Sequence, residues 1–221
     1  MHRYVEACAA HPSTRRLDSF LAGVIAAPAV HARFVNTLSR LEYVGVRKML
    51  KSRRSERMDL DGLQHVLDEG VHALRLKKAA TALGAAAGVD VTTFAPEHTL
   101  AGDAAEDYFQ ALDHRAEAAV ADLPAAVRAE TNYLLTSAAI EVRAQVFYPL
   151  YDRRLAEGKA GFSVAAITKD EDRHLEEMKT GLQALAADWR ARLEPVLTAE
   201  ISLFAGLLDE MDAALTLARA A

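Results

Sequence analysis

The chain has little cysteine, proline, glycine or aromatic character. Its 221 residues include one cysteine, six prolines and eleven glycines, and only 6% of them are aromatic. The single Cys8 excludes an intramolecular disulfide framework and any CxxC metal site. The longest apolar stretch near the start, residues 20–30, is too short to span a bilayer and contains Pro28. We therefore expect a soluble, cytoplasmic protein without a membrane partner.

The charge balance gives little sign of nucleic-acid binding. The net charge is −5, whereas a broad nucleic-acid surface is usually basic. The basic run at residues 47–57 is the one contrary feature, and we interpret it as a solvated turn where cations meet a helix C-terminus. A nucleic-acid partner is not expected, although a tRNA substrate stays open.

The composition and periodicity predict helices throughout. About half of the residues are hydrophobic, with Ala and Leu dominant, which is typical of helical proteins. Apolar residues recur at three- and four-residue spacing between breaks near residues 52–61, 88–96, 122–124 and 158–163. The length suits one domain over residues 1–221. The pattern predicts four long helices (from residue 13 or 30 to 50, then 61–87, 124–156 and 163–189), a short helix at 104–119 and a terminal helix at 193–218.

The helix ends carry recognisable signals. Asp59 or Asp61, Asp122 and Ser163 are predicted N-caps, and Gly88 and Gly158 are predicted C-terminal stops. The result is an all-α bundle of two helical hairpins joined by one long crossover, residues 88–123, with an additional C-terminal helix.

Two of the long helices carry a glutamate followed three residues later by a histidine. The pairs are Glu69 with His72 and Glu171 with His174. This spacing places both side chains of a pair on one helix face, and in both helices that face is the apolar one. A carboxylate beside an imidazole is a natural ligand pair for a first-row metal.

The other two long helices each carry one isolated acid on an apolar face, Glu42 and Glu141. Two residues of an antiparallel hairpin face each other when the turn lies midway between them. The midpoint of Glu42 and Glu69 falls within the break at 52–61, and that of Glu141 and Glu171 falls just before the turn at 158–161. Each acid should therefore lie level with the ExxH motif of the next helix.

Four carboxylates converging in a dry core require cations. Two divalent ions would balance the four charges, and an oxygen-rich site with one imidazole per metal favours a pair of iron ions, with manganese open. The alternative is a plain bundle whose buried acids pair with Arg75, Arg143 or Arg173, which lie off the predicted inward faces. The predicted ligands are Glu42, Glu69, His72, Glu141, Glu171 and His174.

Further polar residues lie near this set. His65 lies one turn before Glu69 on the same face, and we interpret it as a histidine bonded to a neighbour, with an extra metal ligand as the alternative. Tyr43, Tyr133 and Tyr148 are interpreted as packing residues, with a redox-active or hydrogen-bonding role as the alternative.

The ligand set resembles that of the ferritin-like di-iron carboxylate proteins, which supply one Glu from each of two helices and ExxH from each of two others. The resemblance covers about residues 30–189 and implies a ferritin-like four-helix bundle. Residues 170–174 (DEDRH) also match the DExRH form of bacterial multicomponent monooxygenases, whereas residues 68–72 have Val71 in place of the Arg. By this resemblance Asp68 and Asp170 each hold a histidine by a hydrogen bond; the alternative is that both cap or face solvent.

The resemblance implies an O2-dependent oxidoreductase of the monooxygenase type, acting on a small or apolar organic substrate with an unidentified electron donor. Relatives of this kind include tRNA-modifying hydroxylases and aldehyde-deformylating oxygenases. No catalytic residue beyond the ligands is predicted, and a homodimer stays open. Small residues within one turn of the ligands would leave room beside the metals, as a substrate channel needs. These residues are Gly45, Gly70, Ala73, Ala138 and Ala144.

The alternative function has no organic substrate: a ferritin- or rubrerythrin-like iron oxidase, a peroxide-scavenging protein or a di-manganese catalase. Ferritins typically lack the second ExxH motif. Rubrerythrins usually add an acid where this chain has Ala144, together with a Cys-rich module that this sequence lacks. Manganese catalases have a similar ligand set, usually in longer chains.

Overall fold

The fold is all-α. A computed structural model describes residues 1–52, 56 and 58–220, and every regular element in this part of the chain is helical, as predicted. A 3₁₀ turn lies at Pro96–His98. The α-helices are α1 (His2–Ala10), α2 (Pro12–Ile25), α3 (Pro28–Ser52), α4 (Leu60–Ala87), α5 (Gly102–Ala119), α6 (Ala125–Glu157), α7 (Ala165–Leu185) and α8 (Trp189–Ala220).

The ends of α4 follow the sequence signals. The Asp59 carboxylate accepts a hydrogen bond from the Gly62 backbone N–H at 2.8 Å and so satisfies a donor at the start of the helix. Gly88 ends the helix with φ of 69°, a left-handed conformation that glycine adopts without the steric cost of a Cβ. The helix therefore begins and ends within one residue of the predicted bounds.

The structure decides one open boundary and contradicts two predictions. Of the two predicted starts of α3, residue 30 is close to the observed one, since α3 begins at Pro28 and the residues before it form a separate helix, α2. The predicted fourth helix stops at Leu185, where Ala186 has extended backbone, and the buried Trp189 begins α8. Asp122 does not cap α6, because its carboxylate accepts hydrogen bonds from Arg192 at 2.6 and 2.9 Å instead.

Four helices surround the predicted ligands. α3 packs along α4 and α6 packs along α7, and the two pairs meet through α3 with α6 and α4 with α7. α5 packs on α8 and α6, while α2 packs on α3, α6 and α8. The helices α2, α5 and α8 therefore form an additional layer beside the four helices that carry the ligands.

The structure bears on the expected absence of a membrane span and on the basic run. None of the described helices is both long and apolar enough to cross a membrane. Part of the basic run at residues 47–57 lies outside the described residues.

Candidate metal centre

The structure brings all six predicted ligands together between α3, α4, α6 and α7. Five of them are buried and Glu42 is partly buried. Their ligand atoms fall into two groups, each able to hold a metal ion, with all atoms of a group within 4.8 Å of one another.

The first group consists of Glu42, Glu69, His72 and Glu171. The Nδ1 atom of His72 lies 3.4 Å from Glu171 Oε1 and 3.8 Å from Glu42 Oε2, so it points at the carboxylates. This Nδ1 has no hydrogen-bond partner among the described residues. The geometry therefore directs a buried ring nitrogen at the carboxylates, where a cation could replace its proton.

The second group consists of His65, Glu69, Glu141 and His174. The Nε2 atom of His65 lies 3.4 Å from Glu69 Oε1 and 3.8 Å from Glu141 Oε1. The His65 ring stacks on that of His174, with centroids 3.8 Å apart. The structure thus places His65 in the cluster, as the alternative of an extra ligand requires, and the sequence signal for it is the four-residue spacing to Glu69.

The two groups are joined by shared carboxylates. Glu69 belongs to both groups. Glu171 spans them as well, because its Oε1 lies 3.4 Å from His72 Nδ1 while its Oε2 lies 2.7 Å from His174 Nδ1. A carboxylate with one oxygen toward each group can bridge two metal ions, so the arrangement suits a metal pair.

The histidine of each ExxH motif is also approached by an aspartate from the opposite helix. Asp170 on α7 approaches His72 of α4 with Oδ2 3.1 Å from Nε2. Asp68 on α4 approaches His174 of α7 with Oδ2 3.5 Å from Nε2, and Asp68 also bonds Arg173. In both cases the contact leaves Nδ1 facing the carboxylates, which is how an outer carboxylate fixes the tautomer and orientation of a metal-binding imidazole.

The three tyrosines named in the sequence analysis differ in their contacts: one of them bonds to a ligand of the cluster. The buried Tyr148 hydroxyl donates a hydrogen bond to Glu42 Oε1 and so holds one predicted ligand. Tyr43 is 45% exposed and stacks on Phe94. Tyr133 is buried in the apolar core on the α6 side.

Arginine does not neutralise the four carboxylates. Among the described residues, no Lys or Arg nitrogen lies within 4.0 Å of an oxygen of these four acids. Arg143 pairs with Glu200, Arg173 pairs with Asp68 and Glu177, and Arg75 is exposed. The pairing that a plain bundle would need is therefore missing from the described part of the chain.

The metal-free cluster depends on protons instead. Burial, together with the neighbouring carboxylates, raises the pKa of Glu69 and Glu141 well above the usual range of glutamate. Burial alone would lower the pKa of His72, but the nearby carboxylates of Glu171 and Glu42 raise it to about 11. Burial lowers the pKa of His65 to about 3, which keeps its imidazole neutral. A cation that bound here would displace protons, so its affinity should fall as the pH falls.

An apolar cavity of about 210 Å³ adjoins the cluster. Glu42, Glu69 and Glu141 line it on the cluster side, and Arg143 and Phe204 line it toward α8. Most of the remaining wall consists of leucine, phenylalanine and other apolar side chains of α2, α3, α6 and α8. The cavity gives an organic molecule of modest size a place beside the carboxylates.

The small residues near the ligands contribute unequally to this space. Gly45 and Ala144 line the cavity, and a Cβ added at Gly45 would lie 3.4 Å from Glu69 Oε2. Gly70 instead lies on the exposed face of α4, where an added Cβ would meet nothing within 4 Å.

Comparison with protein-family models, with curated proteins and with solved structures found no match to this chain. The site must therefore be interpreted from its own geometry.

Proposed function

We propose that this chain is a ferritin-like di-iron carboxylate protein that uses O2 to oxidise a small, apolar organic substrate. One observation carries the proposal: two groups of Glu and His share a carboxylate and border an apolar cavity. The two hairpins α3–α4 and α6–α7, joined by a long connection that contains α5, have the connectivity of ferritin-like bundles.

The residues present fit a pair of iron ions. The group of Glu42, Glu69, His72 and Glu171 would hold one ion, and the group of His65, Glu69, Glu141 and His174 would hold the other. Oxygen and imidazole ligands suit iron and manganese, and the absence of a Cys from both groups disfavours softer metals. Two divalent ions would also supply the positive charge that the described lysines and arginines do not provide.

When bound, such an iron pair supplies the redox chemistry that activates O2. The chain itself supplies the surroundings for that chemistry. Asp68 and Asp170 orient the histidines, the Tyr148 hydroxyl holds Glu42, and the apolar wall excludes water from the substrate. Inserting one oxygen atom of O2 and reducing the other to water takes two electrons and two protons, which an external donor must provide.

The cavity is the reason to prefer an oxygenase over an iron-storage or peroxide-scavenging protein. Iron transfer into a mineral core or dismutation of peroxide needs a polar route for ions or water. This cavity is instead lined mainly by apolar side chains, such as Phe34, Leu38 and Phe147. Such a wall favours an organic molecule over hydrated ions.

Anaerobic loading with Fe(II), followed by O2 and a reductant, tests the proposal. We expect two iron ions per chain and transfer of ¹⁸O from labelled O2 into an added small aromatic compound, measured by mass spectrometry. Mineralisation of many irons per chain, or turnover of hydrogen peroxide alone, would show that the protein has no organic substrate.

The Ala144→Leu variant tests whether the substrate occupies the cavity, because Ala144 lines the cavity and belongs to neither ligand group. The larger side chain should fill space beside the cluster, lowering substrate oxidation several-fold while iron content stays unchanged. Equal oxidation rates in this variant and the wild type would place the substrate elsewhere.

A further inference from the structure

A buried arginine lines the cavity on the side of α8. Arg143 is 5% exposed, and its Nε and Nη2 donate to Glu200 Oε1 and Oε2 at 2.8 and 2.9 Å. The Tyr108 hydroxyl donates to Glu200 Oε1 at 2.7 Å, and the guanidinium lies 3.9 Å above the ring of Phe204. The positive charge of Arg143 is therefore already balanced by one buried carboxylate.

The third guanidinium nitrogen is different. Nη1 of Arg143 is buried and has no hydrogen-bond partner among the described residues. A buried donor without an acceptor is unfavourable, and such groups in native proteins usually meet a ligand or an ordered water. Arg143 lines the cavity, which makes the cavity the candidate source of an acceptor for Nη1.

The same helix presents the cluster and this donor to the cavity. Successive residues of an α-helix are rotated by about 100°, so Glu141 and Arg143 project from different sides of α6. The lining residues Ile140, Ala144 and Phe147 lie on the arc between them. A molecule in the cavity can thus be near Glu141 with one part and near Arg143 with another.

We propose that Nη1 of Arg143 donates a hydrogen bond to the substrate, and that this substrate is a compact apolar compound with a neutral carbonyl oxygen. Naming the ligand a substrate rests on the proposed function. A neutral acceptor is favoured because Glu200 already balances Arg143, and a second carboxylate would bury a net negative charge. An apolar cavity of about 150 Å³ holds benzene, so this one suits about eight or nine non-hydrogen atoms.

Binding of two isosteres tests the proposal. Acetophenone has the carbonyl oxygen, whereas α-methylstyrene has a methylene group in its place and the same number of non-hydrogen atoms. We expect metal-free wild-type protein to bind acetophenone about 10-fold more tightly, which corresponds to one hydrogen bond from a charged donor. Calorimetry measures both affinities, and benzoate should bind more weakly than acetophenone.

The double variant Arg143→Met with Glu200→Gln removes the donor without leaving Glu200 unpaired. Its preference for acetophenone should fall to about 2-fold or less, as expected when no charged donor remains. Tyr108→Phe is the matched control, since it keeps Nη1 and should keep the preference. Equal wild-type affinity for the two isosteres, a preference that survives in the double variant, or no binding of either compound would overturn the proposal. Because the protein is metal-free, these results are independent of whether it binds iron and activates O2.

A second inference concerns the outer face of α4. Five large apolar side chains, between 41% and 80% exposed, follow one another along this helix at spacings of three or four residues. Side chains at this spacing form one stripe, and a continuous exposed apolar stripe usually marks an interface. The members of this stripe are Leu60, Leu63, Leu67, Val71 and Leu74.

The stripe is symmetric about its central residue. If a second α4 runs antiparallel with Leu67 opposite Leu67, then Leu60 lies opposite Leu74 and Leu63 lies opposite Val71. The same pairing places the exposed Asp61 near the basic second half of the partner helix. Apolar residues thus meet apolar residues, and acidic residues meet basic ones, through a two-fold axis.

We infer that the occupant of this face is a second copy of the chain, bound antiparallel through α4. Helices pack with axes about 8–10 Å apart, and Cα atoms lie about 2.3 Å from each axis. Facing Cα atoms on the two-fold axis therefore come within the distance that a disulfide can bridge. Leu67 is the one stripe residue that meets its own copy.

A cysteine at residue 67 tests this geometry. Under mild oxidation the Leu67→Cys protein should form a disulfide-linked dimer rapidly, whereas Leu217→Cys, at an exposed leucine near the end of α8, should form little disulfide-linked dimer. The native Cys8 is buried and does not contribute. In sedimentation analysis, wild-type protein should be dimeric at micromolar concentration and Leu67→Asp monomeric. A monomeric wild type, or equal cross-linking of the two cysteine variants, would overturn the inference.

Discussion

Replacing Glu69 by glutamine is expected to remove both metal ions, because Glu69 is the glutamate common to the two ligand groups. Glu42 belongs to the first group alone, so Glu42→Gln should keep about one ion per chain by the bridging logic of di-metal carboxylate sites. Elemental analysis after anaerobic Fe(II) loading measures the iron content of both variants. The exposed Glu176, paired with Lys179, gives a matched control, and Glu176→Gln should keep two ions. Equal loss of iron in the Glu69 and Glu42 variants would contradict the shared arrangement.

The same variant should change stability in opposite directions with and without metal. Iron at a thousand times its Kd should stabilise the wild type by about 4 kcal/mol, and this gain should vanish in Glu69→Gln. Without metal the variant should be the more stable protein at neutral pH. Burial raises the pKa of Glu69 above its ordinary value of 4.5, so the folded wild type loses stability as the pH rises from that value toward the raised pKa. Glutamine is neutral and removes this loss, which urea unfolding at several pH values would show.

Replacing Arg143 by alanine is expected to lower the free energy of unfolding by about 3–5 kcal/mol. The side chains of Arg143 and Glu200 are 6% and 1% exposed, so the substitution leaves a buried carboxylate whose one remaining hydrogen-bond partner among the described side chains is Tyr108. Urea unfolding measures the loss. The double variant Arg143→Met with Glu200→Gln should recover most of it, since no buried charge remains.

A surface ion pair provides the comparison for this experiment. Arg16 pairs with Asp209 where both side chains are largely exposed, 45% and 67%. Arg16→Ala should therefore cost no more than about 1 kcal/mol. If Arg143→Ala cost as little, Glu200 would have to find water or another partner, and the arginine would not be needed to keep the α6–α8 contact.

The amount that the sequence could predict differs between the helices and the site. The bounds of α4 were predictable because Asp59 and Gly88 act through local backbone geometry. The end of α7 was not, because Ala186 and Trp189 carry no local stop signal and the break depends on packing of the buried tryptophan. The role of Asp122 was not predictable from local sequence either. Aspartate is a good capping residue, but Asp122 bonds instead to Arg192, which lies seventy residues further along the chain.

Within the site, the identities of the six candidate ligands followed from the sequence. Helical periodicity places Glu69 beside His72 and Glu171 beside His174 on inward faces, and a carboxylate on such a face needs a partner. Their membership in a metal centre stays a prediction until metal is measured. His65 was visible at the right spacing, but one histidine on a helix face does not distinguish a ligand from a packed side chain.

The sequence by itself determined which residues lie on the inward faces of four helices, because that property depends on spacing along a single helix. Only the tertiary structure decided how those faces combine: which carboxylate the two groups share, that Asp68 and Asp170 each reach the histidine of the opposite helix, and that Arg143 turns to Glu200. It also decided where the cavity lies, since its walls come from α2, α5 and α8 as well as from the helices that carry the ligands. These features depend on distances between residues far apart in the chain, and such distances are set by packing, which local periodicity does not encode.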